Sequence, residues 1–514
     1  MPNFGFVIDN RKCIGCHACT VACKSEHQVP IGVDRTWVKY IEKGTFPNNR
    51  RLFTVMRCNH CEWAPCVTIC PVTALYTRQD GVVDFNSDRC IGCKSCLQAC
   101  PYDALYIDPE SDTAAKCNFC THRLDMGLQP SCVVVCPEQA IIAGDMDDPT
   151  SQISHLLDRH PVQVRKPEKG TRPKLFYIDA DEASLVPTRT AADERGMWSR
   201  GDSGIAAKDS SESANGSARI PLTMTPPDPS PRRVYDVRPR PPAWGWQVVA
   251  YTWTKSIAAG SFLAIVAGRL LSGAPAISRI SVLLGVIALL FLAVTAALLV
   301  ADLKQPRRFL YVLLRPQWRS WLVRGAYLLT GYGLTLTAWL LASWAGGSSL
   351  ADILLWPGAV LAVCSAVYTA FLFAQAKGRD FWQNPLLSVH LLAHALLAGG
   401  AVWLVVELNL PGEQSGLARM FLIGTLVFSL VIVLAEIFTA PPTADAHRAL
   451  QWILKRPMGT WFWGMGIGVG HLLPLALLAV DSPLLIPIAA LATLVGMYMI
   501  EKLWVLAPQY VPLS

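Results

Sequence analysis

Sixteen of the 17 cysteines in this 514-residue chain lie between Cys13 and Cys136, in four groups of four. The first is Cys13, Cys16, Cys19 and Cys23 (CIGCHACTVAC), and the second Cys58, Cys61, Cys66 and Cys70 (CNHCEWAPCVTICP). The third is Cys90, Cys93, Cys96 and Cys100 (CIGCKSCLQACP), and the fourth Cys117, Cys120, Cys132 and Cys136 (CNFCTHRLDMGLQPSCVVVCP). An even count permits disulfides in principle, but C-x2-C pairs repeated at this density suit metal chemistry better than a network of staples. Three thiolates within seven residues wrap one iron–sulfur cube, while the fourth points away and reaches a neighbouring cube. The proline after the fourth cysteine ends the local helix and turns the chain; only the first group lacks it, with Lys24 in its place. Gly15 and Gly92 let backbone N–H groups approach sulfide closely. Sixteen thiolates at four per cluster predict four [4Fe–4S] clusters.

Two other metal readings fit less well. CIGCH has the C-x-x-C-H form of a c-type haem attachment site. The third group, however, reads CIGCKSC where the first reads CIGCHAC, so His17 fills a variable slot in a repeated motif. Haem would also leave Cys19 and Cys23 without partners and require export, whereas MPNFGFVIDNRK has no apolar run and no twin-arginine pair. Zinc favours C-x-x-C knuckles separated by longer loops, and four cysteines in eleven residues fit that poorly. His17, His60 and His122 read as exposed residues or as neighbours of the clusters rather than ligands.

The second half is different in kind. From about Trp244 onward the chain is a series of apolar runs of roughly 20 residues, the length that spans a bilayer. Eight spans are expected, at about 246–270, 280–302, 320–343, 353–377, 385–408, 417–440, 460–480 and 483–506. Domain limits follow at 1–187 for the cysteine-rich part, 188–242 for a flexible linker rich in Ser, Pro, Asp and Arg, and 243–514 for the membrane part. Lys and Arg concentrate in KQPRRFLYVLLRPQWR, AKGRD and HRALQWILKR, before the third, fifth and seventh spans. By the positive-inside rule these loops and the cysteine domain face the cytoplasm of a bacterial inner membrane, with the periplasmic side as the alternative. The net charge of +7 says little, because much of it sits in these loops. Ionisable residues inside spans default to functional candidates. They are Lys255, Asp302, Arg324, His390, His394, Glu436, His471, Glu501 and Lys502, the last two and Asp302 near span ends. Most of them gather in the leaflet next to the cysteine domain. Of these, Lys255, Asp302, Arg324, His390, His394 and Glu436 are the candidate residues of a quinone site. His390 and His394 share a helix face and cannot grip one haem from both sides. The glycines of GMGIGVGH (464–471) read as a close helix contact rather than a nucleotide loop.

RCNHCEWAPCVTICPVTAL and KCNFCTHRLDMGLQPSCVVVCPEQAI, with all four cysteine groups, resemble the four-cluster ferredoxin subunit of the complex iron–sulfur molybdoenzymes, the dimethyl sulfoxide, polysulfide and tetrathionate reductases. YTWTKSIAAGSF and ADLKQPRRFLYVLLRPQWRSWLVRGAY resemble the NrfD-like polysulfide-reductase membrane anchor. The resemblance implies an α+β domain of duplicated bacterial ferredoxin folds joined to an all-α bundle of eight transmembrane helices. It also implies crossed ligand sets: Cys13, Cys16, Cys19 with Cys136; Cys117, Cys120, Cys132 with Cys23; Cys58, Cys61, Cys66 with Cys100; and Cys90, Cys93, Cys96 with Cys70. The implied role is electron relay between membrane quinone and a separate large catalytic subunit carrying a molybdenum or tungsten pterin. No substrate-converting site and no nucleic-acid partner are expected in this chain. The competing readings are the electron-transfer arm of a nickel–iron hydrogenase and a non-enzymatic membrane redox sensor or scaffold.

Overall fold

The computed structural model describes residues 1–192, 231–237, 240–273, 275, 277–410, 416–455, 457–480 and 482–514. Strand Phe4–Asp9 lies between antiparallel Ile141–Asp145 and parallel Leu175–Ile178, with Val162–Gln163 at the edge. Successive side chains of a strand face opposite ways. Phe6 and Ile8 therefore pack with Cys19 and Cys132, while Val7 packs with Ile142, Ile153 and Ile178 on the other face. A second sheet is built on the hairpin of Thr36–Lys43 and Arg50–Arg57, in register Thr36 to Arg57. Two short hairpins, Leu75–Thr77 with Val83–Phe85 and Leu105–Ile107 with Ala114–Lys116, follow the second and third cysteine groups.

The cysteine runs form tight loops leading into short helices, Ala18–His27, Pro65–Ile69, Ser95–Ala99 and Ser131–Val134. Before two of these helices the backbone turns left-handed, at Gly15 (φ 74°) and His17 in CIGCH and at Gly92 (φ 67°) and Lys94 in CIGCK. At Gly92 a Cβ would lie 2.5 Å from that of Lys304, so the position needs glycine for space as well as for φ.

Among the described residues, seven helices are long and apolar enough to cross a membrane: Trp246–Ser272, Arg279–Ala301, Ser348–Gln375, Leu387–Leu408, Leu417–Phe438, Trp461–Ala479 and Leu485–Tyr510. The expected span at 320–343 is present as a 24-residue helix, Trp321–Trp344, but falls short on apolarity. Arg324, three glycines (Gly325, Gly331, Gly333) and three threonines (Thr330, Thr335, Thr337) dilute it. Counting Trp321–Trp344, the long helices are numbered first to eighth below. The seventh opens as a π-helix over Trp461–Leu472. Its Gly470 meets Gly496 of the eighth, where a Cβ on Gly470 would come within 2.7 Å of the Gly496 Cα.

Part of the expected linker is built into the front domain. Arg232–Tyr235 pairs with Thr36–Lys43, and Ala191–Ala192 pairs with Arg232–Tyr235. Tyr235 stacks among Tyr40 and His17, and Asp236 accepts from the Trp37 indole at 3.0 Å. Within the stretch 188–242, expected as linker, the structure thus shows strand at Ala191–Ala192 and Arg232–Tyr235, and residues 193–230 lie outside the described residues.

The two halves close on each other through membrane loops. Lys304 and Gln305 donate backbone N–H groups to the carbonyls of Gly92 and Ile91, at 3.3 and 3.1 Å. Gln317 N–H reaches Pro71 O at 3.0 Å, the Ser320 hydroxyl reaches Ile69 O at 2.7 Å, and Gly378 N–H reaches Gln98 O at 3.1 Å. These loops follow the second and fourth long helices, so both helices end at the cysteine domain.

Candidate functional site

All 17 cysteines are unpaired thiols. Three small chambers are each walled by four of them: Cys13, Cys16, Cys19 and Cys136; Cys58, Cys61, Cys66 and Cys100; and Cys70, Cys90, Cys93 and Cys96. The remaining four gather as well. Burial pushes the Cys23 thiol up, and Cys117, Cys132 and Cys120 push it further, so its neighbours come from the fourth group. Each fourth cysteine therefore stands apart from the three that precede it in sequence. Among the described residues no three Cys, His, Asp or Glu side chains converge on one point as a single ion requires. The sulfurs face chambers instead.

The chambers suit an anionic inorganic cluster. Backbone N–H groups of Ala74 and Ala140 donate to the sulfurs of Cys70 and Cys136 at 3.2 Å, and those of Gly92 and Ala114 to Cys90 at 3.4 Å. Burial raises Cys19 and Cys100 to about 11 and Cys93 and Cys117 to about 12. Burial disfavours the bare thiolate, and a metal centre would supply the positive charge that favours it.

The sets form a series. Cys16 is exposed, and Cys13 and Cys136 are partly so. Cys19 is pushed up by Cys132 of the next set, Cys117 by Cys58, and Cys96 by Cys66, in each case after burial. Cys93 stands at the membrane end, where its carbonyl accepts from the Trp244 indole at 3.3 Å. Of the histidines, His122 is exposed and bonded to Glu26 at 2.6 Å, and His17 is half-buried between tyrosines. His60 is buried and accepts the Val83 N–H at 3.2 Å. His27, which the spacing did not flag, lies 3.1 Å from the Cys120 sulfur.

Next to Cys93 opens a cavity of about 480 Å³ in the membrane half. Its wall is mostly Leu, Val and Ala of the second and third long helices, and its polar end carries Ser95, Tyr251, Asp302 and Tyr368. Asp302 caps the second helix and pairs with Lys94 of the CIGCK loop at 2.7 Å. Lys255 lies behind this wall, 4.9 Å over the Tyr368 ring, with its ammonium donating to Ala366 O at 2.9 Å and Thr369 Oγ1 at 2.6 Å.

The six candidate residues of the membrane half therefore separate. Asp302 lines the cavity and Lys255 backs it. His390, His394 and Glu436 belong to a different, closely packed cluster. His390 Nδ1 is 2.6 Å from Glu436 Oε2, His394 Nδ1 is 3.4 Å from Glu501 Oε1, and the two imidazoles lie 4.2 Å apart with their planes inclined at 50°. Ser256 donates to the same Glu501 oxygen at 3.4 Å. His394 Nε2, Glu436 Oε1 and Glu501 Oε2 have no partner among the described residues. Arg324 joins neither group; it donates to Trp318 O at 2.8 Å and covers Trp321. His471, in the π-helix, bonds the Ser429 hydroxyl at 3.1 Å and Gly466 O at 3.0 Å.

Comparison with known proteins agrees with both halves. Residues 50–146 match the family model of a 4Fe-4S dicluster domain, and residues 237–513 match that of polysulphide reductase, NrfD. The sequence is 45% identical over 199 residues to a tetrathionate reductase subunit of Salmonella typhimurium, covering 38% of this protein and 79% of that one. It is 44% identical over 180 residues to a polysulfide reductase chain of Wolinella succinogenes, covering 34% and 93%. Over 224 residues it is 36% identical to the arsenate respiratory reductase iron-sulfur subunit of a Shewanella species, covering 34% and 95%.

Proposed function

Because the chain belongs to the NrfD polysulphide reductase family and its front half to the iron-sulfur subunits of respiratory reductases, we propose that it relays electrons between membrane quinone and a separate catalytic subunit. The observation that carries this reading is the cavity walled at one end by Cys93, the membrane end of a series of thiol sets whose other end, Cys16, is exposed. The chain is a multi-pass membrane protein, and the cofactor it implies is the [4Fe–4S] cluster.

Four such clusters, held by the crossed sets, supply one-electron transfer. The residues of the chain do the rest. Three small chambers and the Cys23 neighbourhood support the crossed sets. Helix Pro65–Ile69 and helix Ser95–Ala99 each end in a cysteine and lead into a hairpin, which supports a duplicated ferredoxin unit. The domain limits are proposed at 1–187 and 243–514, with Arg232–Tyr235 docked on the first.

A quinone ring is proposed to enter the cavity against Asp302, where the Lys94–Asp302 pair holds a carboxylate beside the cluster loop and Lys255 adds a cation behind Tyr368. The His390–Glu436 and His394–Glu501 pairs are assigned the proton exchange that quinone chemistry requires. Ile14, Val21, Val134 and Val135 are exposed around Cys16 and Cys136 and offer the docking face for a catalytic subunit, proposed to carry a molybdopterin cofactor.

Eight crossings are proposed rather than seven. Helix Trp321–Trp344 begins beside Ile69 of the cysteine domain and is joined by three residues to Ser348–Gln375, which returns to that domain. At 1.5 Å per residue its 24 residues are long enough to traverse the hydrocarbon core. The charge of the loops on this side supports a cytoplasmic cysteine domain in a bacterial inner membrane.

The test fills the cavity. Ala296→Trp in the full chain should abolish reduction of the clusters by a quinol analogue while all four remain reducible by dithionite. Unchanged quinol-driven reduction would remove the cavity from the path. Co-purification with a large subunit, followed by analysis of that subunit for molybdenum, tests the partner.

A further inference from the structure

Arg57 ends strand Arg50–Arg57, immediately before Cys58, and its side chain is completely buried. One guanidinium nitrogen, Nη1, donates to the Cys132 sulfur at 3.1 Å. The guanidinium carbon stands 4.5 Å over the Phe6 ring. Nε and Nη2 have no acceptor among the described residues, and no described carboxylate lies within ion-pair distance. A buried guanidinium without a counter-charge is strongly destabilising, so the fold retains one only where negative charge is supplied.

The negative charge around Arg57 comes from sulfur. Cys132 accepts from the guanidinium, and Phe6, against which the guanidinium lies, packs in one cluster with Cys132 and Cys19. Cys132 and Cys117 belong to one thiol set and Cys19 to another, whichever cysteine completes each set. Arg57 thus stands between two chambers with two N–H groups still to place.

We propose that Arg57 is the shared counter-charge of two adjacent iron–sulfur clusters, one held through Cys132 and Cys117 and the other through Cys19, and that it sets the reduction potential of both. The inference rests on the reading of these thiols as cluster ligands. One added electron makes such a cluster more negative, and a fixed cation in a low-dielectric interior favours that state. Arg57 therefore raises both potentials relative to those the same clusters would have without it. Among the described thiols the Arg57 side chain hydrogen-bonds Cys132, of the outer pair, and none of the cysteines of the clusters nearer the membrane, on Cys58 and Cys90.

The experiment is an EPR-monitored redox titration of the full chain as prepared anaerobically, with iron counted in parallel. Arg57→Gln should retain iron at about 16 per chain and lower the midpoint potentials of two clusters by about 59 mV or more, one decade in each one-electron equilibrium. The other two should not move, and Arg57→Lys, which keeps the charge, should shift the pair by less than half as much. Unmoved potentials in Arg57→Gln, or an equal shift of all four, would overturn the proposal. If Arg57→Gln does not assemble, pulsed EPR on the unaltered chain grown with ¹⁵N-guanidino arginine decides. A ¹⁵N coupling to a reduced cluster that disappears in Arg57→Lys supports the proposal, and a coupling that is absent or persists overturns it. Iron well below four clusters in the unaltered chain would instead refute the cluster reading itself.

Discussion

The same pair occurs twice in this molecule: a histidine nitrogen 2.6 Å from a glutamate oxygen, His122–Glu26 on the cysteine domain and His390–Glu436 in the membrane bundle. The first is half open to water and shares its carboxylate with Ser131 and Arg123. The second is 1% and 2% exposed and leaves one carboxylate oxygen without a partner. Geometry is alike and energetics are not. Water and salt screen the surface pair, so it adds little to the stability of the fold. In the bundle neither group has a second hydrogen-bond partner among the described residues, and removing one leaves the other buried without its bond.

That contrast can be broken most forcefully at His390. His390→Leu should destabilise the chain in detergent by about 3–5 kcal/mol, because Glu436 is left buried and alone. Thermal or denaturant unfolding measures it, and a loss under about 1 kcal/mol would mean that water reaches the pair. The double variant His390→Leu, Glu436→Leu should recover most of that loss, since an apolar pair of similar volume replaces a buried polar one. If this double variant is stable and still exchanges electrons with a quinol analogue at the original rate, the pair is structural and the proposed proton role fails. On the surface, Glu26→Gln should change stability by less than about 1 kcal/mol, and by less still in high salt.

The smallest effect is a pH dependence. Hydrogen bonds from Ser131 and His122 hold the Glu26 carboxyl near about 2, below its ordinary 4.5. A depressed carboxyl stabilises the fold fully above the ordinary value, and that contribution disappears as pH falls toward 2. Ser131→Ala should narrow this window, seen as an acid unfolding midpoint displaced slightly upward. No displacement would show that the hydrogen bond is exchanged for water without cost.

The two halves were not equally legible. The cysteine runs were readable because ligand spacing is local, and CIGCHAC against CIGCKSC sufficed to discount haem. The grouping of Cys136 with Cys13 depends on the strand pairing of Phe4–Asp9 with Ile141–Asp145, which brings residues more than a hundred positions apart together; spacing alone carries no trace of it. Apolar runs located the membrane helices, and Trp321–Trp344 was recognisable by length although Arg324 and its glycines blur its composition. Which polar side chains share a space was not readable. Asp302, His390 and Lys255 look equivalent as charges in apolar text, and helix rotation sends Asp302 to the cavity and His390 to Glu436. Arg57 gave no signal, because a basic residue at the end of a strand is ordinarily a solvated one. The π-helix at 461–472 was hidden too, its glycines reading only as a close contact.

The fit between the loops and the cysteine domain also fixes an order of events in making the protein. A Cβ on Gly378 would lie 2.6 Å from Gln98 O and 2.7 Å from Cys100 O, and Gly92 is equally tight against Lys304. Arg308 covers the Cys90 carbonyl at 3.0 Å, and Gln509, in the last turn of the eighth helix, bonds Gln98 at 2.5 Å. These seams cover the backbone around the chamber of Cys70, Cys90, Cys93 and Cys96 on the side of the membrane loops. A cluster proposed for that chamber is therefore expected to be loaded before the front domain closes on the membrane loops, and the Gln98–Gln509 latch to close after the final helix has been threaded. Joining both halves in one polypeptide makes that wait intramolecular, so a metal-loaded front domain stays tethered to its own anchor until the anchor is complete.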